Sequence, residues 1–398
     1  MISFTLTDEQ KELQQTARDF AQKEIKPLAL KLDSAGHEID AWQAVQPMLN
    51  KAAQMGLFGL LVPEAFGGGG ATAVDNVIVQ EELGAADVGI ASSYFNLTMS
   101  LPFLLLIAGT DAQKETWLPK FCSQKVHLLA GAQSEPSVAG SDLFCPVPDP
   151  KIGMRTHAQR EGDQYIVNGN KSAFVTNAGV ASTYFLLCRT SLEQPPQSST
   201  TILLVPKETP GLSFGSKTEL MGMRGAYHSE IYFDDVRVPV ANRLGDEGQA
   251  GMIMAMGSGA MTVGLAANFV GLARAAYEYA LAYAKERVSW GKPIIEHQAV
   301  GLKLADVAVE LDAARLLVWQ AAFAVDAGDE TAVTFKAPAA KTYAADVAIK
   351  AAQTALEVLG AYGTTKEYET EKYLRDAWMG YSCDFTREVL RLGMVPFL

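Results

Sequence analysis

The segment TILLVPKETPGLSFGSKTELMGMRGAYHSEIYFDDVRVP, residues 201–239, decides the fold class. It holds two short runs, 201–205 and 230–233, that are rich in β-branched and aromatic residues. Similar runs at 165–167 and 182–187 precede it, and each is bounded by Gly, Asn, Asp or Pro. Because helix-length patterns are absent between these runs, residues 128–240 are predicted to form an antiparallel β-domain, a barrel or sandwich.

Helical patterns lie on both sides of this segment. Residues 1–127 have apolar residues at helical spacing, and Thr7 is placed to cap the first helix. One break, PEAFGGGG at 63–70, predicts a tight loop. Residues 241–398 are rich in Ala and Leu and predict a four-helix bundle. The prediction is therefore an α+β chain with an N-terminal helical domain, a middle β-domain and a C-terminal four-helix bundle. Without βαβ alternation or a GxGxxG motif, a Rossmann nicotinamide site is not expected.

The composition limits the partners. The chain has 398 residues, 48% of them apolar and 20% charged, with a net charge of −12 and a pI near 5.0. Clustered Lys and Arg for phosphate binding are lacking, so a nucleic-acid partner is not expected. Four widely separated cysteines predict neither a metal site nor a disulfide framework and fit a reduced cytoplasm. No apolar run reaches the ~20 residues of a membrane span and no secretion signal is visible, so we expect a cytoplasmic protein without membrane contact.

The segment QSEPSVAGSD, residues 133–142, has the composition of a ligand-binding turn. Its Gly and Ser residues offer several hydrogen-bond donors, which suit a polar ring edge or a phosphate. An ordinary β-domain loop has the same composition, so the segment alone does not decide between these interpretations.

Six blocks in a fixed order resemble the acyl-CoA dehydrogenase family along nearly the whole chain. They are GLLVPEAFGGGG (59–70), QSEPSVAGSD (133–142), FVTNAG (174–179), FDDVRVP (233–239), RVSWGKPIIEHQ (287–298) and LGAYGTTKEYETEKYLRDA (359–377). The resemblance implies bound FAD. It places Gln133 and Ser134 beside the flavin ring and Ser141 near the flavin or the thioester substrate. Phe174 stands where the family usually has a stacking Trp, and Thr176 stands at the hydrogen-bonding position near flavin N5.

The resemblance also implies a shared cofactor site. Arg287, Trp290 and Gln298 match positions that reach the FAD diphosphate and adenine of a neighbouring subunit, which implies a homotetramer. Gly360 and Thr386 fall at further cofactor positions. Without the motif, Arg287 would be interpreted as a surface ion-pair partner and Trp290 as a core aromatic. Arginine suits the diphosphate because its planar fork pairs with phosphate oxygens.

The family mechanism implies a carboxylate base that removes the proton α to the thioester while the β-hydrogen leaves as hydride to flavin N5. The usual base is a Glu in a YEGT segment, and this chain reads YSCDFT at 381–386. Asp384 therefore takes the base position and Phe385 replaces the glycine beside the substrate. An Asp is a competent base when apolar burial raises its pKa. The alternative for Asp384 is a helix N-cap.

Other residues leave alternatives open. Asp87, in the region that lines the acyl pocket of relatives, is the second candidate for the base and a candidate substrate contact; it could instead be a helix cap. Gly259 and Thr262 occupy the positions of a usual Asp and Arg, which alters the expected carrier contacts. Glu357 stands where Gln is usual near the diphosphate, so it must be turned away or paired. His228 is interpreted as structural, with substrate contact as the lesser alternative.

The predicted function is FAD-dependent α,β-dehydrogenation of a short, branched or cyclic acyl-CoA, with electrons passed on to an electron-transferring flavoprotein. A second hypothesis keeps the fold and the FAD but changes the reaction to an oxidase, a carrier-protein thioester reaction, a ring 1,4-elimination or a desulfination. A third hypothesis is a flavin-less scaffold. The retained Ser134, Thr176 and Arg287 argue against the scaffold.

Overall fold

Helices form both ends of the chain in the computed structural model, which describes residues 5–35, 39–145 and 147–398. The side chain of Ser141, a predicted site residue, lies outside what the structure describes. Thr7 caps α1 through a capping box with Gln10, as predicted. The helices before the sheet are α1 (Asp8–Phe20), α2 (Lys26–Ala35), α3 (Ala41–Gln54), α4 (Ala73–Ala86), α5 (Val88–Ile90), α6 (Leu97–Ser100), α7 (Pro102–Ala108) and α8 (Asp111–Phe121).

The middle of the chain forms a mixed sheet. Its strands are β1 (Leu129–Ala132), β2 (His157–Glu161), β3 (Gln164–Thr176), β4 (Thr183–Arg189), β5 (Thr200–Pro206), β6 (Leu212–Phe214), β7 (His228–Pro239) and β8 (Arg243–Leu244). They follow the order β6-β7-β3-β2-β4-β5-β8, and β1 pairs with β4. A short helix, α9 (Pro196–Ser199), precedes β5.

The α+β class and the order of helices, sheet and helices are confirmed, with one correction. The sheet is open and mixed, because β1 runs parallel to β4, with Leu129 opposite Thr183. The prediction of a purely antiparallel sheet was therefore wrong, and the described strands do not close into a barrel. The physical reason is that a long connection separates β1 from β4, and only a long connection allows parallel pairing.

Both faces of the sheet are covered at β4 and β5, which explains why these two strands lack an alternating polar pattern. Along β4, Tyr184 and Leu186 belong to a core shared with the first helices, whereas Phe185 and Leu187 belong to a second core with α7 and α8. Successive side chains of a strand point to opposite faces, so a strand covered on both sides is apolar throughout.

The last third of the chain packs as long, Ala-rich helices against each other. They are α10 (Ala250–Glu286), α11 (Gln298–Asp326), α12 (Ala337–Leu359), α13 (Thr370–Met379) and α14 (Arg387–Met394), with a small hairpin of β9 (Val288–Ser289) and β10 (Lys292–Pro293) between the first two. Helix α10 also crosses α4 closely: a Cβ at Gly84 would lie 2.4 Å from the Asn268 carbonyl oxygen. This contact joins the two helical regions.

Two helical stretches, Val88–Ala108 and Ala250–Glu286, are long and apolar enough to cross a membrane. In the most apolar window of the first stretch 72% is buried inside the protein, and in that of the second stretch 78% is buried. Such burial is typical of core helices. Their apolar character is therefore accounted for by packing within the chain.

The glycine-rich segment 63–70 forms the predicted tight loop. The Gly70 N–H donates to the Val62 carbonyl at 2.9 Å, and a Cβ at Gly68 would lie 2.0 Å from the same oxygen. Only glycine allows so close a return of the chain.

Candidate functional site

The predicted flavin turn leaves the end of β1 and is fixed against β3. The Gln133 side chain donates to the Gly140 carbonyl at 2.5 Å, which closes the turn. The Ser172 N–H donates to the Ser134 carbonyl at 2.9 Å. Gln133 and Ser134 thus lie together beside the strand that carries Phe174.

A buried ion pair supports this turn, and the sequence analysis missed it. Glu135 accepts hydrogen bonds from the Arg155 and Thr156 N–H groups at 2.6 and 2.9 Å and from the Lys171 ammonium at 3.0 Å. Lys171 also donates to the Gln133 carbonyl at 3.0 Å. Burial alone would raise the pKa of Glu135, but Lys171 and the N–H donors hold it below its ordinary value. The only sequence signal was a lysine inside a strand.

The end of β3 presents an aromatic ring and a hydroxyl group. Phe174 is 67% exposed, an unusual state for a large aromatic side chain on a strand. The Thr176 hydroxyl lies 3.1 Å from Nε2 of His228 on β7. Among the described residues, Nδ1 of His228 is buried without a partner, and burial lowers the pKa of His228 to about 4. The imidazole is therefore neutral at physiological pH.

A buried π-helical turn, Ala91–Asn96, connects this strand end to α10. The Asn177 amide donates to the Ser93 carbonyl at 2.7 Å, and the Asn96 amide donates to the Met261 carbonyl at 3.0 Å. Turns of this kind are common at functional sites. The turn therefore links Thr176, through its neighbour Asn177, to the α10 segment that contacts Asp384.

Asp384 lies in the short turn between α13 and α14. The residue is half-buried, and the Thr262 hydroxyl faces its carboxyl from α10. Burial raises the pKa of Asp384 above its ordinary value, although Lys341 and Thr262 oppose the rise. The N-cap of α14 is Thr386, whose hydroxyl accepts from the Val389 N–H at 3.4 Å. The helix-cap interpretation of Asp384 is therefore not what the structure shows.

Asp87 is held in a different environment. Its carboxylate caps α5 by accepting from the Ile90 N–H at 2.7 Å and binds the buried Lys372 ammonium at 2.6 Å. Lys372 also binds Asp376 at 2.5 Å, and Asp376 accepts from the Met223 N–H. Both oxygens of Asp87 are thus engaged in structural contacts, which favours Asp384 as the base.

The residues predicted to reach a neighbouring subunit lie on the surface. Trp290 is 93% exposed at the β9–β10 corner, and Gln298, also exposed, begins α11. The exposed Arg287 guanidinium lies 5.9 Å from the centre of the Tyr362 ring. Among the described residues Arg287 forms no ion pair, and Trp290 is not part of a core, so the two alternative interpretations are not supported.

Two further predicted positions lie near this surface. Gly360 ends α12 with φ of 61°, a conformation that suits glycine. Glu357 is paired, because it accepts from Lys303 at 2.5 Å and from Gln353 at 3.0 Å. The expected awkward charge near the diphosphate is thereby neutralised.

The arrangement fits a flavin. The exposed Phe174 ring, the Thr176 hydroxyl paired with the neutral His228 imidazole and the polar turn at Gln133 lie around the end of β3. The half-buried carboxyl of Asp384 lies against α10. A planar aromatic cofactor with a hydrogen-bonding edge would satisfy these groups, since rings stack on exposed aromatics.

Comparison with known proteins agrees with this geometry. Residues 7–125, 130–236 and 250–394 match the family models of the acyl-CoA dehydrogenase N-terminal, middle and C-terminal domains. The chain is 36% identical over 393 residues to a probable acyl-CoA dehydrogenase of Bacillus subtilis, with 98% of each chain covered. It is 34% identical over 392 residues to the mitochondrial isobutyryl-CoA dehydrogenase of Dictyostelium discoideum, covering 98% of this chain and 89% of the relative.

The fold agrees as well. The structure of butyryl-CoA dehydrogenase from Megasphaera elsdenii superimposes with a TM-score of 0.89 at 30% identity, covering 100% of this chain and 99% of the other. With three matching domain models and full-length relatives, the chain belongs to the acyl-CoA dehydrogenase family, whose members are FAD-dependent oxidoreductases.

Proposed function

We propose that this protein removes the α and β hydrogens of a short, branched or cyclic acyl-CoA, with Asp384 as the base. The observation that carries the proposal is the half-buried carboxyl of Asp384 in the turn before α14, which the Thr262 hydroxyl faces from α10 and whose pKa is raised by burial. A carboxylate with a raised pKa in an enclosed site is a stronger base than one in water.

In this proposal, each residue of the site has a separate role. Asp384 accepts the α-proton on its carboxylate, and the Thr262 hydroxyl orients that carboxylate. Phe174, Thr176 and the turn at Gln133 hold the flavin ring. When bound, FAD supplies the electron sink by accepting the β-hydrogen as hydride at N5.

Three residue differences from the usual family pattern support a compact substrate. Asp384 has a shorter side chain than Glu, and Phe385 takes space that glycine would leave open. Gly259 cannot be replaced by the usual Asp without movement, because a Cβ there would lie 3.1 Å from Val325 and from Val333. A compact acyl group fits this narrowed site best. Butyryl and isobutyryl groups, the substrates named for two of the similar proteins, are of this size.

Anaerobic reduction of the flavin tests the proposal. The purified FAD-bound protein is mixed with butyryl-CoA, isobutyryl-CoA, cyclohexanecarboxyl-CoA, palmitoyl-CoA and a butyryl thioester of acyl-carrier protein, and the visible flavin absorbance is followed. We expect bleaching by the compact CoA thioesters at rates at least about 10-fold above palmitoyl-CoA, from pocket discrimination of 1–3 kcal/mol. Bleaching by palmitoyl-CoA alone contradicts the substrate class, and no bleaching at all contradicts the dehydrogenation.

We further propose a cytoplasmic homotetramer that passes electrons to an electron-transferring flavoprotein. Support for the assembly comes from an exposed apolar stripe on α11. Its members recur every seven residues: Leu302 is 64% exposed, Val309 71%, Leu316 44% and Phe323 69%. Apolar residues at this spacing form one seam along a helix, which is typical of a helix–helix interface between chains.

Placing charge in this stripe should break the assembly. For the double variant Val309→Asp with Leu316→Asp, we expect a lower mass in sedimentation velocity, because the desolvation of two charges opposes association of the subunits. Since the proposed FAD site is shared between subunits, we also expect at least about 10-fold weaker FAD binding. The control is Leu192→Asp, which changes another exposed apolar side chain, 39% exposed in the loop between β4 and α9. An unchanged mass for the double variant would remove α11 from the interface.

A further inference from the structure

The turn that carries Asp384 has an unusual backbone. Asp384 and Phe385 have φ values of 51° and 75°, both in the left-handed region. Aspartate is tolerated there, but a bulky residue such as Phe is not expected there. Such a conformation persists only when surrounding contacts hold it in place.

The contact that holds this turn comes from α12. Lys341 is fully buried, and its ammonium donates to the Gly380 carbonyl at 3.2 Å and to the Phe385 carbonyl at 3.0 Å. These two carbonyls lie on either side of Asp384. Among the described residues, no carboxylate forms an ion pair with Lys341, so this buried charge is directed at the turn itself.

We propose that Lys341 is the positioning residue of the base: by holding the carbonyls of Gly380 and Phe385, it keeps the turn left-handed and aims the Asp384 carboxyl at the substrate. This inference rests on the proposed function, in which Asp384 is the base. A backbone-bound ammonium suits the role because it fixes the turn without covering the carboxylate.

The same ammonium acts on the charge of Asp384. Burial lowers the pKa of Lys341, while Cys383 and Asp384 raise it; conversely, Lys341 lowers the raised pKa of Asp384. The other groups that face this pair are the Thr262 hydroxyl from α10, the Cys383 thiol of the turn, Arg387 from α14 and Asp346 from α12. Arg387 and Asp346 are paired with each other, so their charges largely cancel.

Two measurements test the proposal on the FAD-bound protein. Hydrogen–deuterium exchange of residues 380–386, without substrate, reports how firmly the turn is held. The pH dependence of flavin reduction by the best acyl-CoA reports the acid limb set by the base. For Lys341→Met we expect at least about 10-fold faster exchange of the turn and an acid limb moved up by about one pH unit, because a nearby cation no longer favours the carboxylate.

Comparison variants separate positioning from charge. Thr262→Val should move the acid limb upward but leave the exchange of the turn unchanged, since Thr262 does not bind the two carbonyls. Lys350→Met, on an exposed face of α12 where Lys350 pairs with Glu310 at 2.5 Å, should change neither quantity. If Lys341→Met changes neither the deuterium exchange of residues 380–386 nor the acid limb of the pH dependence, the proposal is overturned.

The outcomes remain distinguishable from failure of the proposed function. If no acyl-CoA reduces the flavin of the unaltered protein, the proposed function fails, and the exchange measurement still decides whether Lys341 holds the turn. If Lys341→Met does not fold, Lys341→Gln keeps a donor without the charge. Folded Lys341→Gln should move the acid limb of flavin reduction upward and should increase the deuterium exchange of the turn less than Lys341→Met does. An unchanged acid limb would show that the charge of Lys341 does not act on Asp384.

Discussion

Asp384→Asn is expected to slow flavin reduction by an acyl-CoA about 10²–10⁴-fold while FAD remains bound, because this is the usual contribution of a general base. Asparagine has nearly the same shape as aspartate and tolerates the φ of 51° at this position. It cannot accept the α-proton. The measurement is anaerobic stopped-flow bleaching, with the flavin spectrum as the check on cofactor content.

The same variant should not lose stability. The pKa of Asp384 is raised in the folded state, so the folded protein favours the protonated carboxyl. The stability from that preference is present below the unfolded pKa and is lost as pH rises through the folded pKa. At neutral pH the ionised carboxyl therefore disfavours folding, and the neutral amide of asparagine should leave the free energy of unfolding unchanged or higher. Such a stable but inactive variant is typical of active-site residues.

A different result would assign the role of the base to another residue. Retained bleaching in Asp384→Asn, with loss of bleaching in Asp87→Asn, would assign the role to Asp87 despite its contacts with Ile90 and Lys372. Loss in both variants with weak FAD binding only in Asp87→Asn would identify Asp87 as structural.

Lys372→Met is expected to destabilise the protein by about 3–5 kcal/mol, the cost of removing one partner from a buried ion pair. Lys372 lies between Asp87 and Asp376, and all three side chains are less than a tenth exposed. Burial alone would lower the pKa of Lys372, but the two carboxylates raise it far above its ordinary value. Methionine fills a similar volume and leaves two buried carboxylates without a cation.

Urea unfolding followed by circular dichroism measures this effect. Lys350→Met is the matched control, because its ion pair with Glu310 is exposed and should contribute about 1 kcal/mol or less. The deficit of Lys372→Met should shrink as the pH falls, because protonation removes the unpaired negative charges. A deficit equal to that of the control would show that the network contributes little.

Residues close in sequence made the fold and part of the site predictable. Thr7 with Gln10 and the glycine loop at 63–70 are formed by local contacts, so local rules were sufficient. Phe174 and Trp290, which the motifs assign to the cofactor, are both exposed, and their cofactor roles stay predictions.

Contacts between distant residues were not predictable from the same rules. Lys341 bonds to the turn around Asp384 from another helix, and nothing in its own segment indicates that direction. His228 meets Thr176 because β3 and β7 pair in a register shifted by an irregularity between Lys171 and Val175. A register shift changes which side chains face each other, and a single sequence does not show it.

The bond between Asp87 and Lys372 joins residues 285 positions apart. Because long-range contacts form only after the intervening chain has been made and has closed a large loop, the pocket cannot take shape on a partly synthesised polypeptide. FAD can then bind only after nearly the entire chain has left the ribosome. A protein truncated before residue 372 would lack both the Asp87–Lys372 ion pair and Asp384.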